Sequence, residues 1–222
     1  MREGVLTLAR KDPRVTGGAV TGSIAVGAED RWSDIDLSFG IADGVDPEAV
    51  LAEWTQLLEG ERNVLHHWDL RSGPTIYRVF LLSGGLELDI AVTPAAEFAA
   101  RGPKFQLAFG ASVESAPNAS PPLDDMIGLG WIHALNARAA IERGKYWQAE
   151  YWISSLRYQA LALACLRAGE APDYARGVDR LARDVTAPYE QTLVRSLDES
   201  ELRHALVIAS VEFVREVAQA KP

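Results

Sequence analysis

The sequence is poor in several things, and each shortage removes a class of function. A single cysteine, Cys165, stands among 222 residues, so an internal disulfide cannot form, and its apolar neighbours Ala162, Leu163, Ala164 and Leu166 predict a packed thiol rather than a nucleophile. No apolar run approaches the roughly 18 residues of a membrane span, and the start Met1-Arg2-Glu3-Gly4 has no signal-peptide hydrophobic region, which predicts a cytoplasmic protein. Basic residues are outnumbered, 22 Lys and Arg against 31 Asp and Glu, giving a formal net charge of -9. A long nucleic acid, whose phosphates require clustered cations, is therefore a poor partner, and an acidic surface suits cationic ligands better. The four histidines have no Cys or His at zinc-ligand spacing, and His66 and His67, adjacent in a strand, are expected on opposite faces.

What remains is ordinary for a folded protein: 48% hydrophobic and 24% charged residues, with no internal repeat and no low-complexity tract. The chain reads as two halves. A seam falls at Ser115 to Pro122, a Ser/Pro-rich stretch that can continue neither a helix nor a sheet ladder. The predicted fold class is α+β, a mixed-sheet domain over about 1–118 followed by an all-helical bundle over about 119–222.

In the first half, Gly17 to Ser23 predicts a short strand ending in a glycine turn, followed by the start of a short helix. A second strand is expected over Asp34 to Phe39. Asp46 as N-cap with Pro47 in the first turn opens a helix to about Leu58, its apolar positions being Val50, Leu51, Trp54, Leu57 and Leu58. A meander follows over Val64 to Leu70, Thr75 to Leu82 and Leu86 to Val92. In the second half helices are expected from Pro122 to Arg143, with Ile127, Trp131, Leu135 and Ala139 as the buried row, and from Tyr146 to Ala168, with Ala149, Ile153, Leu156, Ala160 and Leu163 facing the bundle. Further helices fit Tyr174 to Asp184, Pro188 to Ser196 and Asp198 to Gln219, the last with Glu201 placed for a capping box.

The chemistry is concentrated in Thr21-Gly22-Ser23 and in Ser33-Asp34-Ile35-Asp36-Leu37. Side chains alternate along a strand, so Asp34, Asp36 and Ser38 share one surface while Ile35, Leu37 and Phe39 share the other. Two carboxylates so close repel unless a cation lies between them, and hard oxygen ligands suit magnesium. Asp89, on the polar side of Leu86 to Val92, is a third. If its strand pairs beside that of Asp34, the three can hold two magnesium ions. At Gly22-Ser23, glycine lets the backbone approach a phosphate and the serine adds a hydroxyl donor.

Gly-Ser, about ten residues, Asp-x-Asp and a later acid together resemble the nucleotidyltransferase superfamily of DNA polymerase β. With a helical domain appended, the layout resembles the bacterial antibiotic nucleotidyltransferases, which adenylylate aminoglycosides or lincosamides and confer antibiotic resistance. The resemblance covers the first half by motif, and the second only by helical architecture and the segment Arg143 to Arg157. It implies transfer of a nucleoside monophosphate, AMP first among them, from ATP or another nucleoside triphosphate to a hydroxyl of a small, cationic acceptor. Asp34, Asp36 and Asp89 would be the metal ligands and Gly22, Ser23 and Ser33 nucleotide-binding, with a cleft between the domains as the site. From the helical half, Lys145 could contact the triphosphate. Glu150, on one face with Ser154 and Arg157, could serve as an alternative base to Asp89, bind an acceptor ammonium, or simply pair with Arg157. Trp131, Trp147 and Trp152 are expected mostly in the core, whereas Trp32, in the loop before the aspartates, is a candidate for ligand contact. Two other readings stand beside this one, a protein-modifying minimal nucleotidyltransferase and a non-catalytic nucleotide sensor of the same fold. No membrane partner is expected, and homodimer formation is left open.

Overall fold

The strands follow from alternation. In β2 (Ile35–Ile41) the odd residues Leu37, Phe39 and Ile41 are buried while Asp36 and Ser38 are not, the pattern of a strand with one face on a core. In the computed structural model, which describes residues 1–61, 63–114 and 122–220, the chain divides into two compact units, Met1–Ala119 and Ser120–Pro222. Apart from Pro122, the predicted linker lies outside the described residues.

The first unit contains α1 (Arg2–Lys11), β1 (Val15–Thr21), β2, α2 (Pro47–Glu61), β3 (Val64–Ser72), β4 (Thr75–Leu82), β5 (Glu87–Pro94) and β6 (Phe105–Gly110). The strands form one six-stranded mixed sheet in the order β3-β4-β5-β2-β1-β6. Only the β2–β5 pair is parallel, because the chain leaves β2 through α2 and the β3–β4 hairpin before β5 enters beside it. The strands thus match the predicted meander with longer ends. The local sequence pattern does not anticipate α1 or β6.

Both helices pack with one face of the sheet. Val5, Leu6 and Ala9 of α1 join Val50, Leu51, Trp54 and Leu58 of α2 over Leu37, Phe39, Phe80, Leu88 and Ile90. Trp54 meets Phe39 edge to face, with centroids 5.1 Å apart, and its indole N–H donates to Asp12, so the largest core side chain has no unpaired donor. The Asp46 carboxylate accepts from the Glu48 N–H, the expected N-cap. One predicted core position of α2 is wrong: Leu57 is 48% exposed and Thr55 is buried in its place. Thr55 can be there because its hydroxyl donates to the Leu51 carbonyl and accepts from Arg78; Arg78 also makes paired bonds to Asp69 across the β3–β4 hairpin.

In the second unit, α4 (Tyr146–Arg167) packs with α3 (Leu123–Glu142) and α6 (Glu199–Ala220). The predicted stripe of α4, Ala149 to Leu163, is fully buried, as is Cys165. The predicted row of α3 is not: Trp131 and Leu135 are 52% and 55% exposed, while Met126, Gly130, Ala137, Ala140 and Ile141 are buried. A strict spacing of four advances about 40° per step on a helix of 3.6 residues per turn, so such a row winds off the contact face. Gly130 fixes which face is inside, since a Cβ there would fall on the ring of Phe213. The helix expected over Tyr174 to Asp184 is replaced by 3₁₀ turns at Asp173–Ala175 and Val178–Arg180 and one α turn, α5 (Arg183–Thr186). Tyr174 and Ala175 adopt φ of 53° and 59°, which no right-handed helix accommodates. Pro188 to Ser196 likewise reduces to a 3₁₀ helix, Ala187–Thr192. The capping box of α6 is not formed as expected: Asp198 accepts from the Ser196 hydroxyl, and Glu201 reaches the Arg195 N–H.

Candidate functional site

The face of the sheet opposite α1 and α2 carries the carboxylates. In the parallel β2–β5 ladder Ile35 is level with Leu88 and Asp36 with Asp89, so the alternation that buries Leu37, Leu88 and Ile90 puts Asp36, Glu87 and Asp89 together on the other side. Asp34, one residue before β2, is exposed at the same end. The condition on which convergence depended, β5 lying beside β2, is met.

β1 delivers the glycine turn to the same place. Gly22 has φ +69°, and a Cβ on it would coincide with Oδ2 of Asp36. Only glycine permits both the left-handed backbone and the carboxylate seated against it. Ser23 then starts a 3₁₀ turn, Ile24–Val26, closed by Gly27 at φ +66°; the expected helix start is this single turn. The following loop is ordered by Asp30, whose carboxylate accepts from the Trp32 N–H at 2.8 Å and from the Ser33 hydroxyl at 3.1 Å. That hydroxyl accepts from the Asp30 N–H, so Ser33 is occupied in shaping the approach to Asp34. Trp32 is 75% exposed, with the Arg31 guanidinium 4.1 Å from its ring centroid.

The electrostatics set this end of the sheet apart. Burial, followed by the charges of Glu87, Asp36 and Asp34, lifts the Asp89 carboxyl to about 7. Glu87 is also pushed above the usual carboxylate range, first by burial and then by the charges of Asp34 and Asp36. Oδ1 of Asp89 is buried and has no hydrogen-bond partner. Glu87 is not among the residues the sequence motif singles out, although its spacing of two from Asp89 was the available signal.

Would a divalent cation suit these residues? The donors are all hard carboxylate oxygens, one of them, Oδ1 of Asp89, buried without a hydrogen bond, and the absence of a side chain on Gly22 is what lets the Asp36 carboxylate sit where it does; the chemistry fits magnesium. The backbones are aligned but the side chains do not form a closed shell, for among the described residues no three His, Cys, Asp or Glu groups already make a metal-binding set.

Of the candidates in the second unit, Lys145 is exposed and precedes α4, its carbonyl accepting from the Ala149 N–H. Glu150 and Arg157 do not pair directly. Ser154 lies between them, donating to Glu150 at 2.6 Å and accepting from Arg157 at 2.9 Å. Arg157 is buried and also donates to the Thr192 carbonyl. The tryptophans are less buried than expected: Trp147 is 77% exposed, and Trp152 stacks on His133 with centroids 5.3 Å apart.

An aminoglycoside 6-adenyltransferase from Bacillus subtilis aligns over 97% of this chain and 87% of its own, at 15% identity and a TM-score of 0.44. A nucleotidyltransferase-like protein from Exiguobacterium sibiricum aligns over 99% and 76%, at 14% identity and a TM-score of 0.42. No family model matches the sequence, and no curated protein does. Likeness at this level carries no argument about the chain's activity. Among the described residues, no helix is long and apolar enough to cross a membrane.

Proposed function

We propose that the protein is a nucleotidyltransferase that transfers a nucleoside monophosphate, AMP in the first instance, from a nucleoside triphosphate to a hydroxyl of a small, cationic, aminoglycoside-like acceptor. The observation that carries this reading is the β2–β5 register, which sets Asp36 level with Asp89 beside a turn where only Gly22 fits. Transfer to a hydroxyl needs a base for its proton, a place for the triphosphate and neutralisation of charge, and little more.

Asp89 is the base in this proposal, since its register beside Asp36 puts its carboxylate on the face where the acceptor hydroxyl would give up its proton. The acceptor oxygen attacks the α-phosphorus, its proton goes to Asp89, and the bond to the leaving pyrophosphate breaks. Asp34, Asp36 and Asp89 would hold magnesium, which when bound neutralises the phosphates and polarises the reacting centre. Gly22 and Ser23 receive the outer phosphates. Ser33 supports them by fixing the loop that ends at Asp34, and Trp32 offers an exposed ring to the ligand. Residues 1–118 thus form the catalytic domain and 119–222 the substrate-binding domain, where Lys145 is assigned to the triphosphate and Glu150 to the acceptor.

The test is incubation with magnesium, each of the four ribonucleoside triphosphates and a panel of aminoglycosides, followed by mass spectrometry. An acceptor heavier by one nucleoside monophosphate residue, with pyrophosphate released, is the expected result. Binding of triphosphate with no adduct and no pyrophosphate would instead make the protein a sensor.

A further inference from the structure

Where an arginine of this chain is withdrawn from water, a carboxylate usually meets it. Arg78, 8% exposed, makes paired bonds to Asp69, and Arg167 makes them to the buried Glu216. Arg157 is just as buried, at 7% exposure, yet among the described residues no carboxylate pairs with it. Its bonds within the protein go to the Thr192 carbonyl and to the Ser154 hydroxyl, which leaves three of the five N–H donors of a guanidinium unused. Glu150 stands one hydroxyl further away, beyond Ser154. A buried cation without a counter-ion at its own donors is strongly unfavourable. Arg157 also lies on the wall of a cavity of about 430 Å³ between α4 and the short turns that follow it, together with Tyr158, Leu161, Tyr189 and Leu193. Small-molecule sites span about 300–1,000 Å³ and combine apolar walls with a few placed polar groups. The other charges on this wall, Asp179, Arg183 and Glu190, are exposed, and Arg183 pairs with Glu190 at 2.7 Å. Water screens those three, so the one buried charge sets the sign of the site.

We infer that this cavity of the helical unit binds a small organic oxyanion, a carboxylate or phosphate carried on an apolar ring or chain, with its charged end on Arg157 and its body against Leu161 and Leu193. The planar guanidinium fork matches either oxyanion. Its bonds to Thr192 and Ser154 hold it in place beforehand, so little side-chain freedom is lost when the anion arrives. The site uses none of the residues assigned to nucleotidyl transfer, and it stands or falls independently of that proposal.

The experiment is isothermal titration calorimetry of the full chain, without nucleotide or magnesium, against benzoate, phenyl phosphate and the neutral benzamide. The proteins are wild type, R157Q and L193W, each with its circular dichroism and thermal midpoint recorded. Leu193 is an exposed part of the cavity wall, so L193W fills the space without touching the buried arginine. The expected result is that wild type binds at least one anion about thirtyfold or more tightly than benzamide, the better of the two identifying the oxyanion. R157Q is expected to lose that preference, and L193W to lose anion binding while keeping the wild-type midpoint. Wild type that binds neither anion better than benzamide overturns the inference. So does a folded R157Q that keeps the preference. Should R157Q fail to fold, L193W decides: anion affinity equal to wild type in that variant places the binding outside this cavity and refutes the site.

Discussion

Asp36 and Asp89, 53 positions apart in the sequence, are level with each other in a parallel strand pair. Neither belongs to the other's hairpin; the chain passes through α2, β3 and β4 between them. Substituting Asp36→Asn keeps the size of the side chain and removes its charge from an open sheet face. The expected outcome is a loss of turnover of roughly a thousandfold, about 4 kcal/mol of barrier, with the thermal midpoint within a degree or two of wild type. Magnesium-dependent pyrophosphate release measures the first and calorimetry the second. Turnover like that of wild type would remove Asp36 from the site.

Gly22 supports Asp36 from below. With φ at +69° and Oδ2 of Asp36 in the space a Cβ would take, Gly22→Ala has to strain the turn and move the carboxylate. Backbone strain of this kind costs about 1–3 kcal/mol, and misplacing a reacting group by about 1 Å lowers a rate roughly a hundredfold. Chemical denaturation and the same pyrophosphate assay report both. Gly27 is the control, because its φ is equally positive but a Cβ on it would meet nothing within 4 Å: Gly27→Ala is expected to cost stability and spare the rate.

How far the sequence led can be judged at these positions. Alternation in Asp34 to Phe39 was enough to identify the acidic face, because a half-buried strand has only one way to place its charges. The pairing of β5 with β2 was not legible, since strand order depends on long-range packing that local pattern does not encode. β6 and α1 escaped because the first is a short strand with no buried residue and the second shows only Val5, Leu6 and Ala9 to the core. In α3 the error had a geometric cause: large side chains spaced by four looked like a core row, and the true contact face is marked by the small residues Gly130, Ala137 and Ala140. Glu87 was in plain view two residues before Asp89, but one more acid at the start of a strand carries no signal until the strand's neighbours are known.

Arg157 organises the second unit around a relay. Its guanidinium donates to the Thr192 carbonyl and to Ser154, which passes the connection to Glu150. Arg157→Ala removes a buried donor and the packing of its stem, and about 3 kcal/mol of stability is expected to go with it. Glu150→Gln is expected to cost less than about 0.5 kcal/mol, because an amide oxygen still accepts the Ser154 hydrogen bond. Urea denaturation distinguishes the two. A large loss in E150Q would show that the charge of Glu150 is structural, leaving no reason to assign it to the acceptor.

Asp12 gives a pH dependence whose sign can be worked out. Its carboxylate accepts from the Arg14 side chain at 2.9 and 2.8 Å, from the Arg14 N–H at 3.0 Å and from the Trp54 indole at 3.1 Å. Against the opposing effect of burial, these bonds hold the carboxyl down from 3.8 to about 2. A depressed carboxyl stabilises the folded state fully above the unfolded value and loses that contribution as pH falls through the folded one, so the window lies between about pH 4 and pH 2. The side chain is only 8% exposed, so the shift converts with little solvent discount, to about 2 kcal/mol. Asp12→Asn is expected to lose that amount at pH 7, and the gap from wild type is expected to close as pH approaches 2. Urea denaturation of both proteins at pH 7, 4, 3 and 2 checks this. A gap that stays constant across the series would mean that the Arg14 and Trp54 bonds act through shape rather than charge.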